Sequence, residues 1–300
     1  MRTSARGGAL GAAALAVVLL TAVTGCSSGS DDGDSGSKLL TGLGALAGDT
    51  GTKQVVFLDT AEVRKLSKGD AKRFSWISQP APQLLSSWQP SPLGAKFTPD
   101  QIDTAVDTPE AGHWEGSFDA SAITTSLKSG GFTRSEEDGR EVWTHPEQKI
   151  VLTVTDDEIS YSSRTADPLS AVTPDEGSSL ADKDDVRRAA DCLGDVYRAD
   201  FNPSGSGGPV RLSALGQQAE TAAKNTEVIC FVVKDEATAT KLEKKLRTVV
   251  SGEAPTFDGT EVTVEKGDHP VVRAVVPDTA TQRPGRLVVT DTELWTAAAN

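Results

Sequence analysis

An apolar run from Leu10 to Val23, preceded by Arg2 and Arg6 and closed by Thr24-Gly25-Cys26, separates the start of this chain from whatever the rest folds into. A basic beginning, a short apolar stretch and small residues before a break point are the three parts of a secretory signal. An uncleaved membrane helix is the alternative, but its apolar core would be about 14 residues against the roughly 20 that a hydrocarbon core requires. A plain secreted protein is a second alternative. Against it stands Ser27 to Ser37, a segment of Ser, Gly and Asp only. That composition makes a flexible tether, which has a use where a folded body must stand off a surface.

Val23-Thr24-Gly25-Cys26 resembles the bacterial lipobox, in which the cysteine is acylated and becomes the first residue of the mature protein. The reading places the protein on the extracytoplasmic face of the cytoplasmic membrane, lipid-anchored through Cys26. Arg2 and Arg6 are not adjacent, which disfavours the twin-arginine route. Removing residues 1–25 takes away two arginines and no acids, so the formal charge moves from −13 to −15. A body this acidic repels nucleic acid and anionic head groups, so no nucleic-acid partner is expected. The membrane is held through acyl chains instead, at about 0.8 kcal/mol per buried CH₂.

About 250 residues follow the tether, enough for one large or two modest cores. Apart from Cys26, the cysteines are Cys192 and Cys230. An even pair in an exported chain predicts a structural disulfide, since a redox pair would need closer spacing such as C-x-x-C.

Leu39 to Thr52 is Gly-rich and reads as the end of the tether or a turn. Gln54 to Asp59 reads as a buried strand, with Asp59 capping a helix over Thr60 to Ser67. The Pro-rich stretch Trp76 to Thr98 reads as irregular. Gly112 to Phe118 alternates, and Asp119 caps a helix with Ile123 and Leu127 one turn apart. Strands follow at Arg140 to Thr144, Lys149 to Thr155 and Glu158 to Ser162. Leu180 to Tyr197 reads as one helix, with Val186, Ala189, Ala190, Leu193, Val196 and Tyr197 on one stripe. Phe201 to Gly208 reads as a loop and Glu227 to Val233 as a buried strand. Asp235 starts a second amphipathic helix, and strands at Glu261 to Glu265, Val271 to Val276 and Arg286 to Thr290 close the chain.

The order strand, Asp-capped helix, Asp-Gly turn, strands occurs twice. The expected fold is therefore α+β: two topologically related domains, each a mainly antiparallel sheet with helices packed on one face. The expected divisions are 1–25 signal peptide, 26–52 acylated Cys and tether, 53–176 first domain and 177–300 second domain. Coincidence is the alternative, because this order is common in α+β folds.

Catalytic and metal-binding patterns are sparse. His113, His145 and His269 lie too far apart in sequence for a zinc motif, and no metal or cofactor is expected. His113 could serve as a general base, but nothing near it in sequence points to a nucleophile. Gly25-Cys26-Ser27-Ser28-Gly29 fits the nucleophile-elbow pattern, yet straddles the cleavage site and tether, where no strand and helix can flank it. Trp76, Trp88 and Trp143 are the candidates for a ligand or partner surface, with core packing as the competing account.

The leader with Cys26, the segment Val56 to Leu66 (VFLDTAEVRKL), Ser179-Leu180-Ala181-Asp182, and Ala190 to Val196 (ADCLGDV) are similar to a group of actinobacterial, Streptomyces-type exported lipoproteins. The resemblance implies an envelope location and carries no activity or ligand. Together these observations point to a non-catalytic binding lipoprotein with an envelope component as its partner. A solute-binding lipoprotein of a transporter and an extracytoplasmic hydrolase with dispersed active-site residues are the rival readings.

Overall fold

The computed structural model describes residues 37–74, 77, 92–204 and 207–298, all within one unit, Gly36–Asn300. Cys26, Trp76 and Trp88 lie outside the described residues. Among the described residues, twelve strands form one antiparallel sheet. The first half supplies β1 (Val55–Asp59), β2 (Ile102–Asp107), β3 (Ala111–Gly116), β4 (Thr133–Glu137), β5 (Arg140–His145), β6 (Ile150–Val154) and β7 (Glu158–Ser162). The second supplies β8 (Arg198–Pro203), β9 (Val210–Thr221), β10 (Lys224–Val233), β11 (Glu261–Glu265) and β12 (Val271–Pro277). Their order across the sheet is β11-β12-β10-β9-β8-β1-β2-β3-β7-β6-β5-β4.

The expectation of one sheet per domain gives way here. β1 pairs with β2 on one side and with β8 on the other, so the two halves share a continuous sheet. Period-2 alternation across this joint explains why. Val55 and Phe57 point to one face and Leu58 to the other, and all three are buried, so β1 is an interior strand with apolar groups on both faces.

Helices cover both faces, not one. On the first face lie α1 (Lys38–Gly44) and α5 (Asp184–Leu193), whose Leu39, Leu43, Ala189 and Leu193 pack on Phe57, Phe201 and Val228. On the second face lie α2 (Thr60–Gly69), α3 (Ala71–Phe74), α4 (Ala120–Ser129), α6 (Glu236–Gly252), α7 (Arg286–Val289) and α8 (Glu293–Ala297). Asp59, Asp119 and Asp235 each accept from the backbone N–H three residues on, at 2.9, 2.9 and 2.7 Å, and so start α2, α4 and α6 as their sequence spacing predicts.

Four local expectations are corrected. Residues 38–52 belong to the folded body, because Leu39, Leu43 and Leu46 are buried and anchor α1. The long helix over Leu180 to Tyr197 is a 3₁₀ turn, Leu180–Asp182, followed by α5, which stops at Gly194 with φ of 68°. Val196 and Tyr197 therefore lie outside the helix. Phe201 to Pro203 is strand, within β8, and β9 occupies a stretch for which the sequence pattern predicts no element. Arg286 to Thr290 is not a strand: Gly285 at φ of 82° turns the chain into α7.

The outermost strands are polar. Every residue of β4, Thr-Arg-Ser-Glu-Glu, is exposed, and β11 carries exposed Glu261 and Glu265.

Cys192 on α5 and Cys230 on β10 form the expected disulfide, which ties the helix to the sheet inside the first-face core. The bond spans 38 positions of sequence. In the chain-entropy view a loop of that size contributes about 3–4 kcal/mol. Replacing both cysteines by serine should lower the unfolding free energy in urea by that amount, and a loss below about 1 kcal/mol would refute the chain-entropy account.

Candidate functional site

A ring of polar side chains interrupts the apolar second face between the cluster under α2–α3 and the cluster under α6–α8. Its members arise from parity. Ile229 and Phe231 of β10 face that side, so Asn225 and Glu227, at the same parity, are carried inside with them. Gln217 of β9 stands directly opposite Glu227. Tyr197 immediately precedes β8, Asp278 immediately follows β12, and Arg286 opens α7.

The contacts close on themselves. Tyr197 Oη donates to Asn225 Oδ1 at 2.7 Å, and Asn225 Nδ2 donates to Asp278. Arg286 Nε donates to Asp278 Oδ1 at 2.8 Å, Nη1 to Asp291 Oδ2 at 2.6 Å, and its backbone N–H to Glu227 Oε1 at 3.0 Å. The Tyr197 N–H donates to the Gln217 carbonyl at 2.9 Å. Arg73 of α3 reaches the same region and donates to the carbonyls of Ala222 and Thr279 at 3.0 and 3.1 Å.

Four buried atoms here have no hydrogen-bond partner among the described residues: Arg73 Nε, Gln217 Oε1, Glu227 Oε2 and Arg286 Nη2. Each such group costs about 1–3 kcal/mol relative to a satisfied one. Burial first, then the nearby Asp278, pushes Glu227 up to about 8, so it is largely protonated at neutral pH. Burial also raises Asp278, against the bonds from Arg286 and Asn225, and lifts Tyr197 far above its ordinary value. No Ser, Thr or Cys nucleophile stands in the ring. Arg286 is paired with both Asp278 and Asp291, while Arg73 is held by two backbone carbonyls.

Two clefts are lined in part by residues of this ring. One, of about 340 Å³, is lined by Ser37, Lys38, Asp59, Glu62, Tyr197 and Gln218, with Lys38 Nζ 2.7 Å from Asp59 Oδ2. The other, of about 400 Å³, is lined by Arg283, Pro284, Arg286, Val289 and Asp291. Its wall includes α7, where Val288 and Val289 are 41% and 66% exposed.

Other polar clusters do different work. His113 lies on the first face beyond the reach of α1 and α5. Ser160 Oγ is 2.9 Å and Glu158 Oε1 3.4 Å from its Nδ1, and Ser160 donates to Glu158 at 2.8 Å. A hydrolytic triad needs the serine and the acid on opposite ring nitrogens; here Glu115 Oε1 stands 3.9 Å from Nε2, beyond hydrogen-bond reach, while Ser160, 1% exposed, gives its proton to Glu158. The His113 bond, aided by Ser160, lowers Glu158 to about 2. Asp107 accepts from Trp114 Nε1 at 3.0 Å and Tyr161 Oη at 2.7 Å, and burial pushes it up to about 6. This cluster locks β2, β3 and β7 together.

Trp143 is not a binding platform. It is 5% exposed and packs in the core under α4, with its indole N–H donating to Glu141 at 2.8 Å. Its register partner Leu152 faces the same core, which is why Trp143 turns inward. Among the described residues no group of three or more His, Cys, Asp or Glu side chains is placed to hold a metal ion, and no helix is long and apolar enough to cross a membrane.

The sequence offers none of the ring residues as a site: Tyr197 reads as part of a helical stripe and Arg286 as the start of a strand. The available signal was parity: Asn225 and Glu227 in step with Ile229 and Phe231 predict buried polar groups. Arg286 carried no such signal, because Arg286-Leu-Val-Val-Thr290 reads as strand.

No family model matches the chain, and no curated protein matches it. Among solved structures it is similar to crystal form I of TP0453, at 10% identity over 85% of this chain and 98% of that one, with a TM-score of 0.44. A likeness at that level carries no argument about function.

Asp107 and Glu227 couple stability to pH in the same direction. Each is a carboxyl whose folded value, about 6 and about 8, exceeds its ordinary value of 3.8 or 4.5. The folded chain keeps protons that the unfolded chain releases, so this contribution is full below those lower values and is lost as pH rises through the folded ones. Glu158 acts oppositely: its contribution is present above 4.5 and is lost as pH falls toward 2. Calorimetric Tm should therefore fall between pH 5 and pH 8. Glu227→Gln should flatten the upper part of that fall, and parallel curves for the two proteins would refute the assignment.

Proposed function

We propose that the protein is a non-catalytic binding protein of the cell envelope, anchored by an acylated Cys26 to the extracytoplasmic face of the cytoplasmic membrane. The observation that carries this reading is the Cys192–Cys230 disulfide, which joins α5 to β10 in the core. Disulfides of that kind form in oxidising compartments and are rare in reducing ones. The leader ending at Cys26 and the Ser/Gly/Asp tether agree with it. The binding role is supported by the two clefts beside an under-satisfied polar ring, against a His113 cluster whose geometry does not suit a hydrolase.

The finer architecture belongs to the same proposal. α1-β1-β2-β3-α4 is followed by strands of which the last, β7, returns beside β3; α5-β8-β9-β10-α6 is followed by strands of which the last, β12, returns beside β10. α1 and α5 share one face, and α4 and α6 share the other. The reading is of two related units joined antiparallel across β1 and β8, with α2–α3 and an extra hairpin in the first.

Cells expressing the full chain and fed a labelled fatty acid should yield labelled protein in the membrane fraction. Cys26→Ser should abolish the label and the membrane association together. Unlabelled wild-type protein in the cytosol would overturn the proposal.

A further inference from the structure

We propose that α7 is a second membrane contact: its outward Val288 and Val289, with Arg283 beside them, rest in the interface of the bilayer that holds Cys26 and so fix which way the folded body faces. The inference rests on the envelope anchoring given above and adds a surface and its partner, a lipid interface. Among the described residues, the large apolar side chains left exposed are Val288 and Val289, 41% and 66% open to solvent. Neither propensity nor packing accounts for them. Two successive β-branched residues disfavour a short helix, and outward positions ordinarily carry polar groups. Nor can they turn inward. Leu287 is fully buried in the core under α6–α8, and Arg286 is held by Glu227, Asp278 and Asp291.

The tether ends on the same row of the sheet. Leu58, Arg198, Gln217, Glu227 and Val276 stand opposite one another in turn across β1, β8, β9, β10 and β12. Just past the first of these, Asp59 holds Lys38 Nζ at 2.7 Å, one residue after Ser37, where the tether joins the body. Just past the last, Asp278 holds Arg286. Strands β1 and β12 are four spacings of about 4.8 Å apart, roughly 19 Å. Cys26 and Ser37 are eleven positions apart. A flexible chain of that length has a root-mean-square span of about 5–6 Å × √11, roughly 18 Å. Effective concentration is greatest when a linker's span matches the separation it bridges. A contact too weak to hold a free protein therefore suffices to orient this tethered one.

The chemistry of the patch suits lipid. Val289 lines the cleft of about 400 Å³ together with Arg283 and Pro284, and Arg283 is exposed. An arginine so placed lays its stem on apolar groups while its guanidinium meets a lipid phosphate. A specific protein partner needs about 800 Å² on each side, far more than two valines and a shallow cleft present.

Mature, acylated protein carrying Thr290→Cys, next to the valines, or Lys266→Cys, in the β11–β12 turn at the far end of those strands, is labelled with an environment-sensitive fluorophore. The Cys192–Cys230 bond and the acylated Cys26 leave the added thiol as the one to react. The labelled proteins are placed in phosphatidylcholine vesicles whose acyl chains are brominated. An interfacial helix buries its apolar face about 5–10 Å into the head-group boundary, so the label at 290 should be quenched about threefold more than the label at 266. Val288→Ser with Val289→Ser, added to the Thr290→Cys protein at exposed positions, should keep calorimetric Tm and remove most of that difference. Equal quenching at 290 and 266, or equal quenching with and without the valines, overturns the proposal. So does a blue shift at 290 that grows with protein density and ignores bromine, which would mean that a second copy covers the patch. The acyl mass on Cys26 is measured on the same sample. Its absence removes the envelope anchoring along with this contact, whereas equal quenching in acylated protein removes the contact alone.

Discussion

Four residue pairs, Val55 to Leu58 against Phe201 to Arg198, decide the architecture of this protein. They are where the first and second halves of the chain become neighbours, and the layers on either side follow from them. Phe57 and Phe201 lie beneath this joint with α1 and α5 packed over them, one helix from each half. Each half thus contributes to an apolar layer that neither could complete alone. The Cys192–Cys230 bond fastens the same layer covalently, which makes the first face the structural side of the molecule.

The second face is organised differently. Three apolar clusters sit on it, one under α4, one under α2–α3 and one under α6–α8. Between the last two the row across the sheet runs Leu58, Arg198, Gln217, Glu227, so the apolar pattern breaks where the helical layers meet. A core chosen for stability alone would fill that row with aliphatic side chains. The ring instead places polar side chains there, joined by the bonds among Tyr197, Asn225, Asp278 and Arg286. The Asp107 cluster makes a useful contrast: it is equally buried, but Trp114 and Tyr161 both donate to its Oδ1.

Much of the fold was legible because its signals are local. Asp59, Asp119 and Asp235 announce three helices by capping chemistry, and β5, β6 and β7 are short runs bounded by turn residues. The cysteine pair followed from count and compartment. What escaped depended on partners distant in sequence. β9 is polar at its exposed end and apolar only where β10 and β8 flank it, so no segment of it reads alone as a strand. Arg286-Leu-Val-Val has strand composition, yet its first residue is fixed by Asp278, Asp291 and Glu227, and tertiary bonds overrode propensity. Val196 and Tyr197 matched the helical stripe, but the left-handed Gly194 ended α5 before them. Trp143 looked like a platform because a single strand does not say which parity faces the core. The ring was invisible for the same reason, since it gathers residues from 73 to 291.

The two margins of the sheet have a consequence for life in a crowd. An open edge is an unused row of hydrogen-bonding groups, able to recruit another copy, and a sheet this wide has not closed on itself to hide it. Antiparallel growth through β11 would set Glu261 of one copy against Glu265 of the next, and β4 presents an edge on which every residue is exposed and polar. Electrostatic self-avoidance therefore stands in for barrel closure, and molecules packed shoulder to shoulder can remain individual rather than fuse into a fibril.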